Sequence, residues 1–599
     1  MSRSQIQITP PWHTDWRSTL LLGAIAFSCL HPALSSDQDH ATVSGIQGHP
    51  LSRTYTFEDI GEVSQDLRMY FDRMGRLVIV QQGLYLLHDG VNWNDRMSPE
   101  DSDKNNRTVC FAADGTNYYG ATGQWGTLDT RLDGTLETTP ITSSDAPAWT
   151  SNCTIQEIFE SGDHILFCSD FGIITLDRRD RSQSFYEMPF AFGVLLLEDR
   201  LFVSSHRTGV RVLDVPTGQF ERFEISGDLP YKVTQFTYPT PFDKDHAVVL
   251  SEQHDLLIFD GVSCRRWKTD IDSFLHMGIA ATHQIGSNLW AYAIKGKGLF
   301  LIDRNGKLVL GLEGETFSSV TGLCSGEPGV LWVCSSTGIT KVLYDSPITV
   351  FDRRNGIDPN WPQALLSDNK LHILSDGRVF TPIPDIPGIA SRFEPLDLGL
   401  DGGTWTAMPT PVGLLLGYVD TVIHRKPDGS QKTVLEGINA QRLMPGDSDS
   451  LSCVVIGDNE IGAIRWNGED WEECAERIPG LGFPSLATYA KPGSIWMELG
   501  VNRVGRVVLR NGVLKTQVYD DLPFPDRTWL NIGSIGNTMV IGTGIVDDVF
   551  FDEDLEQFVD RPDLTDLITG SHHQILRPYK DSEGVIWAPH SRGIMLVTG

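Results

Sequence analysis

The chain has 599 residues, more than one ordinary hydrophobic core organises, so two domains are expected. Its 40% apolar and 9% aromatic content is globular, and no low-complexity tract interrupts it. A formal net charge of −30 repels phosphate backbones and anionic bilayers over most of the surface, which argues against nucleic acid as a partner and favours solubility.

The N-terminus reads as an export signal. Arg3 and Arg17 precede an apolar run at 20–30, and Ala33-Leu34-Ser35 has the small-x-small form of a cleavage site, so residues 1–35 are taken as a signal peptide. The run is too short to span a bilayer, and His31-Pro32 breaks it. Cys29 follows Ala26-Phe27-Ser28, a poor lead-in for a lipid anchor. No later stretch of about 18 apolar residues occurs, so no membrane span is expected after cleavage and the location is periplasmic or secreted. Of nine cysteines, the eight after Cys29 form no C-x-x-C and no zinc-spaced cluster. Packing is their expected role; Cys153 with Cys168, and Cys324 with Cys334, are left open as disulfides in an oxidising space.

From residue 50 onward the chain repeats. An apolar run ends near a glycine and a second apolar run follows, thirteen times, in steps of 37 to 48 residues. Anchors fall at Gly83, Gly126, Gly172, Gly209, Gly298 and Gly338, with Asp255 marking a degenerate copy; then near Gly377, Asp420, Gly462, Gly505, Ile545 and Gly593. The unit at 154–188 shows the pattern: an alternating strand, a turn at Ser161-Gly162-Asp163, an apolar strand to Cys168, a turn at Phe171-Gly172, a third strand and an outer edge strand. Six Asp-Gly or Asn-Gly pairs (at 89, 133, 260, 305, 467 and 511) follow their anchors in phase and predict type I′ hairpins. Four antiparallel strands per period of about 40 residues make a propeller blade, and thirteen blades exceed one ring. The expected fold is therefore all-β, two tandem β-propellers of about seven blades each: 36–348 as the first, 349–599 as the second with six to seven. Pro347-Ile348-Thr349-Val350-Phe351 is expected to close the first ring as its outer strand.

Gly329-Val330-Leu331-Trp332-Val333-Cys334-Ser335-Ser336-Thr337-Gly338-Ile339 aligns with Gly584-Val585-Ile586-Trp587-Ala588-Pro589-His590-Ser591-Arg592-Gly593-Ile594. Both resemble the two-component regulator propeller repeat, G-x-L-W-V-x-T-x-x-G-L. Residues 287–299 and 493–505 match in part, and Tyr55-Thr56-Phe57-Glu58-Asp59-Ile60-Gly61 with Gly75-Arg76-Leu77-Val78-Ile79-Val80 resembles the opening of such a head. The resemblance covers about 50–597 and implies the extracytoplasmic sensor head of a hybrid two-component regulator. Such regulators continue into a β-sandwich, a membrane helix and a kinase, none of which follows the last repeat in this sequence. The resemblance thus leaves a free-standing binding protein, a truncated sensor or a separately encoded head, with a separate membrane sensor kinase and a homodimer both compatible.

In a propeller, the loops before first strands and between second and third strands gather on one face. In the first ring these carry Trp149, Tyr231, Lys232 and His276, together with His206, Arg207, Phe274 and Lys295. In the second they carry Trp361, Arg527, Trp529, His590 and Arg592, with His572 and His573. Aromatic faces beside cationic donors suit a sugar bearing a carboxylate or sulfate, so a small-molecule or glycan ligand is expected. Adjacent His572 and His573 would point to opposite sides of a strand, so no metal is expected there, and no cofactor. Trp290, Trp332, Trp496 and Trp587 share one phase of the repeat and read as blade packing. Ser143-Ser144-Asp145-Ala146-Pro147-Ala148-Trp149-Thr150 is faintly like a sialidase Asp-box but lacks its glycine, and no G-x-S-x-G, H-E-x-x-H or P-loop occurs. The order of readings is a non-enzymatic ligand-binding sensor head, then a secreted carbohydrate-active lyase or glycosidase, then an interaction scaffold.

Overall fold

The computed structural model describes residues 46–597 apart from 61–66, 82–83, 89, 91, 98–107, 132–135, 142, 144, 347, 358–362, 368–369, 384–387, 398–402, 483–485, 525–529, 543–547, 562–578, 581–585 and 591–592. The expected signal peptide, 1–35, lies outside the described residues. The chain divides into two compact units, Gln47–Phe351 with Asp385–Ala390, and Asp352–Pro384 with Ser391–Gly599. Among the described residues no helix is long and apolar enough to cross a membrane.

In the first unit seven antiparallel sheets follow along the chain, at 68–97, 108–140, 155–187, 191–223, 236–266, 279–312 and 320–343. The third shows why these residues form a blade. Ile155–Ser161 is buried only at its two ends and half-buried between them, whereas His164–Ser169 and Gly172–Asp177 are buried along nearly their whole length, because a blade's middle strands have a neighbouring blade on each face. Gln183–Glu187 is the half-exposed outer strand. Apolar side chains from facing sheets make the cores. Phe202, Val210 and Val212 of the fourth blade meet Phe236, Val249 and Leu257 of the fifth, and Trp290 and Tyr292 of the sixth meet Val248 and Ile258 of the fifth. Leu67, Met69 and Ile79 of the first blade pack with Cys324, Trp332 and Ile339 of the seventh, so the ring is closed.

The closing strand is not the expected one. Ser52–Tyr55 completes the seventh sheet, pairing antiparallel from Ser52↔Val342 to Tyr55↔Ile339. Thr349–Val350 instead forms a two-stranded ladder with His49–Pro50. The N-terminal strand wins for a packing reason. Tyr55 stacks on Trp332 (6.0 Å between centroids) and meets His88 and Trp93 edge-on (5.6 Å each), contacts that bury an aromatic ring at the seam. The 347–351 segment begins with a proline, which has no N–H for a ladder, and its Ile348 is exposed.

Two further details concern the turns. Gly172, expected at its turn for the positive φ that glycine allows, does not adopt one; it is glycine because a Cβ there would lie 2.2 Å from the Tyr186 carbonyl oxygen of the outer strand. Gly338 stands in the same relation to Tyr55, again at 2.2 Å, now with φ of 131°. The preceding turn is held by the hydroxyl that ends the second strand: Ser169 Oγ accepts the Phe171 and Gly172 amides and donates to the Gly172 carbonyl. Of the expected pairs that are described, Asn511-Gly512 alone is a two-residue loop with both φ positive, 50° and 75°; Asp376-Gly377, at 48° and 70°, makes another such loop. At Asp260-Gly261 and Asn467-Gly468 four residues intervene, and the Asp or Asn side chain accepts the following amides instead, Asp260 Oδ1 from Val262 and Ser263, Asn467 Oδ1 from Glu469 and Asp470. Asp89 and the pair at 133–134 lie outside the described residues.

The second unit repeats the design in six sheets among the described residues: 363–395, 406–436, 442–473, 487–519, 531–559 and 579–597. The last shows three strands, and Ile478–Pro479 adds an edge to the third. Between the fourth and fifth sheets the core holds a buried charge network. Arg506 Nη2 donates to Glu553 Oε2 at 2.6 Å and Arg506 Nε to Ser494 Oγ at 2.9 Å, while Trp496 Nε1 donates to Glu553 Oε1. Trp290, Trp332 and Trp496 are all fully buried, as blade packing requires. Cys110, Cys153, Cys168, Cys264, Cys324, Cys334, Cys453 and Cys474 are free thiols, so neither pairing left open by the sequence is made. Burial pushes their pKa values up, Cys153 and Cys334 to about 11, Cys264 and Cys324 to about 12.

Candidate functional site

Because each blade meanders, the loop before its first strand and the loop joining its second and third strands lie at the same end of the sheet. In the first ring that end carries two polar features, one at the axis and one over the fourth blade.

At the axis the innermost strands supply the walls. Arg68, on the inner strand of the first blade, reaches past the second blade to the third. Its Nη1 donates to the Gln156 carbonyl and to Glu157 Oε1, each at 2.6 Å, and its Nη2 to Gln156 Oε1 at 3.2 Å. Burial is the largest influence and opposes the Arg68 charge, but Glu157 and Tyr70 together outweigh it and the net shift is upward, so the guanidinium stays charged. Beneath it Tyr70 shares a hydrogen bond with Thr108 (2.9 Å), and burial raises its phenol to about 12. Further round the ring Thr240 donates to Thr282 (2.8 Å), and His283 Nε2 lies 2.7 Å from Ser325 Oγ. Burial holds the His283 imidazole down to about 4, neutral at ordinary pH. The axis is strapped by cross-blade hydrogen bonds, and Glu157 is committed to Arg68 as a structural partner.

Over the fourth blade lies a cleft of about 550 Å³. Its walls include His206, Arg207, Arg211, Arg222, Gln235 and Glu252. His206 and Arg207 sit in the turn between second and third strands, held by Ser205 Oγ, which accepts the Arg207 amide (3.3 Å) and donates to the Pro189 carbonyl (3.0 Å). Arg211 and Arg222 lie on the third and outer strands as direct cross-strand partners. The imidazole of His206 stacks on Phe192 at 3.8 Å, and the Arg207 guanidinium lies over Phe190 at 3.8 Å. Phe190 is partly exposed with φ of 64°, a left-handed conformation that a bulky residue seldom adopts, held where the chain turns into the fourth blade. Arg211 lies over Phe220. Glu252, also in the lining, accepts a short hydrogen bond from Thr234.

The residues expected in this face take separate posts. Trp149 stands in the short turn Ala148–Asn152 before the third blade, packed into the core between second and third blades. Tyr231 lies before the fifth blade, its hydroxyl donating to Asp255 (2.6 Å), with burial and that carboxylate raising its pKa. Lys232 beside it is exposed and pairs with Glu224 at 3.4 Å. His276 is exposed near the end of Asp272–Met277, before the sixth blade. Phe274 of that turn stacks on Phe300 beneath the Lys297 ammonium. These four residues therefore stand over three different blades, whereas His206 and Arg207 do reach a common cleft. Arg211 and Arg222 were not among the expected residues. The signal was present: two residues after the anchor, where Gly172 is followed by Ile174 and Gly298 by Phe300, Gly209 is followed by Arg211. In the second ring Trp361, Arg527, Trp529, Arg592, His572 and His573 lie outside the described residues, and His590 is placed only as the strand residue paired with Gly593.

No protein-family model matches the chain, and no curated protein sequence matches it. Its fold is that of the extracellular domain of the putative hybrid two component system BT3049 from B. thetaiotaomicron, at 14% identity, with a TM-score of 0.63 over 91% of this chain and 77% of that one. The extracellular domain of the putative one component system BT4673 from the same organism aligns over 93% and 83% at 12% identity and a TM-score of 0.38. Virginiamycin B lyase from Staphylococcus aureus covers 50% of this chain and 99% of its own, at 12% identity and a TM-score of 0.38.

Proposed function

We propose that this chain is an extracytoplasmic ligand-binding propeller protein, a sensor-type head that captures a small molecule or glycan for a two-component-type signalling partner such as a separate membrane kinase. The single observation carrying the reading is the polar cleft over the fourth blade, a concavity of ligand size walled by charged and polar side chains, His206, Arg207, Arg211, Arg222, Gln235 and Glu252. Three further points support it. The tandem-propeller fold is shared with a protein named as the extracellular domain of a hybrid two-component system. The leader at 1–35 reads as an export signal. At the first ring's axis, the Glu157 carboxylate is tied to Arg68 instead of standing free for acid–base work. By loop phase the second ring contributes a mouth of its own, with Trp361, Arg527, Trp529, His590 and Arg592.

The experiment is a thermal-shift screen of the full chain against neutral and acidic mono- and oligosaccharides, with chromatography of each mixture after overnight incubation. A rise in melting temperature with one saccharide class and unchanged saccharide supports a binding protein. Shortened or unsaturated products would replace this reading with a carbohydrate-active enzyme, the second function the fold can host.

A further inference from the structure

The cleft over the fourth blade holds an arrangement that folding alone disfavours. Arg211 and Arg222 face each other directly across an antiparallel strand pair, and like charges so placed destabilise the pair. Arg207 joins them on the cleft wall. Several of this chain's surface arginines sit against carboxylates: Arg178 meets Asp114 and Glu160, Arg266 meets Asp255, and Arg477 meets Glu473 and Glu460. None of the described carboxylates makes an ion pair with Arg207, Arg211 or Arg222, although the chain has 78 Asp and Glu against 48 Lys and Arg. Arg207 lies over Phe190 and Arg211 over Phe220, contacts through the guanidinium faces that leave the planar N–H edges for another partner. Gln235 Oε1, in the same lining, is buried without a hydrogen-bond partner among the described residues. Glu252 of the same lining supplies an acceptor, oriented by Thr234.

We propose that this cleft is an oxyanion site, and that its ligand is a saccharide carrying a carboxylate or a sulfate. Guanidinium forks match the two oxygens of such groups in bidentate fashion, and a bound anion removes the Arg211–Arg222 repulsion on capture. Glu252 and Gln235 accept hydrogen bonds from ring hydroxyls, which a bare inorganic ion does not offer. The inference rests on the ligand-binding reading and adds the chemical class of ligand.

The test is titration calorimetry of the full chain with three probes in low-salt buffer: a uronic-acid trisaccharide, a sulfated disaccharide and a neutral trisaccharide, with sodium sulfate as a fourth arm. The unaltered chain is expected to bind one acidic saccharide at least tenfold more tightly than the neutral one, and the affinity falls as salt rises. Which of the two acidic probes wins identifies the anion. Arg211→Gln with Arg222→Gln is expected to weaken that binding at least tenfold, while melting of the unliganded variant stays level or rises because the like-charge pair is gone. Arg207→Gln, on a turn and away from the strand ladder, gives the same loss and gives up only the contact with the exposed Phe190 ring. Equal binding of acidic and neutral probes, binding of sulfate alone, or unchanged affinity in both variants would overturn the inference. Tight neutral-saccharide binding that ignores these arginines would do so while leaving the ligand-binding reading standing. Cleavage of an acidic probe would sink that reading and leave the anion site in place.

Discussion

Replacing Glu553 by alanine tests how the second ring is held together. The Glu553 side chain is 0% exposed and that of Arg506 6%, and they meet at 2.6 Å between two blades, with Trp496 donating to the same carboxylate. Removing one member of such a pair leaves an uncompensated buried charge, at a cost of about 3–5 kcal/mol. Two groups soften the loss here. Ser494 still accepts from Arg506 Nε, and Glu556, half exposed, lies 3.7 Å from Arg506 Nη2 and can take up the charge. The expected destabilisation is therefore about 3 kcal/mol, the low end of that range. Replacing both residues with apolar side chains, Arg506→Met with Glu553→Leu, removes the unmet charge along with the pair and should cost about 1 kcal/mol or less. Urea unfolding followed by tryptophan fluorescence reads this well, because Trp496 stacks on Tyr519 (5.3 Å) beside Phe551 (4.9 Å) and loses that environment when the seam opens. A single-variant loss under about 1 kcal/mol, or a double variant as unstable as the single, would refute the reasoning that an unpaired buried Arg506 carries the cost.

Four further outcomes follow from the structure. His283, held neutral with its pKa lowered to about 4, contributes stability that is full above the unfolded value near 6.5 and is lost as pH falls from there to about 4; a scan of melting temperature over that window should show a fall that His283→Gln flattens, and parallel curves would contradict it. Tyr55→Ala should destabilise the first ring by about 2–3 kcal/mol in denaturant titration, since the ring closes through that side chain against Trp332, and a loss near zero would point to a different closing strand. Gly172→Ala should cost about 1–3 kcal/mol, because its Cβ would sit 2.2 Å from a backbone oxygen, whereas Gly162→Ala, with open space around its Cβ, should cost about 1 kcal/mol or less, and equal losses would dismiss carbonyl crowding as the reason for the anchor glycine. Thiol-reagent labelling at pH 8 should be slow for the native chain and reach all eight cysteines after the leader once it is unfolded; rapid labelling of Cys264 or Cys324 would contradict their burial and raised pKa values.

The all-β architecture was legible because a blade imposes one rhythm on its sequence. Middle strands such as His164–Ser169 must be apolar on both faces, and the glycine that follows must clear a neighbouring carbonyl, so the repeat survives even where the ligand loops vary. Trp332 and Trp496 were readable as packing for the same reason. The closing strand was not legible. Ser52–Tyr55 is polar and short, and what selects it over 347–351 is the meeting of Tyr55 with Trp332, His88 and Trp93, three residues distant in sequence. Turn type escaped because a lone Asp-Gly pair does not reveal loop length; at Asp260 the side chain caps two later amides and the left-handed first position is never needed. The cleft was half legible. Loop phase found His206 and Arg207, but Arg211 and Arg222 sit on strands, where a polar residue is ordinarily an exposed edge and only the pairing register shows that the two face each other. Trp149 and Tyr231 fell in the right loops, yet their rings are taken up by blade core and by Asp255.

The most direct measurement of the account is saturation-transfer NMR of the full chain with an acidic oligosaccharide, followed over a day. Saturation passing to the saccharide protons while every anomeric signal keeps its position and intensity is the predicted result. New anomeric or unsaturated-sugar signals growing with time, or no transfer to any acidic saccharide at micromolar protein, would contradict a propeller that captures its ligand and leaves it intact.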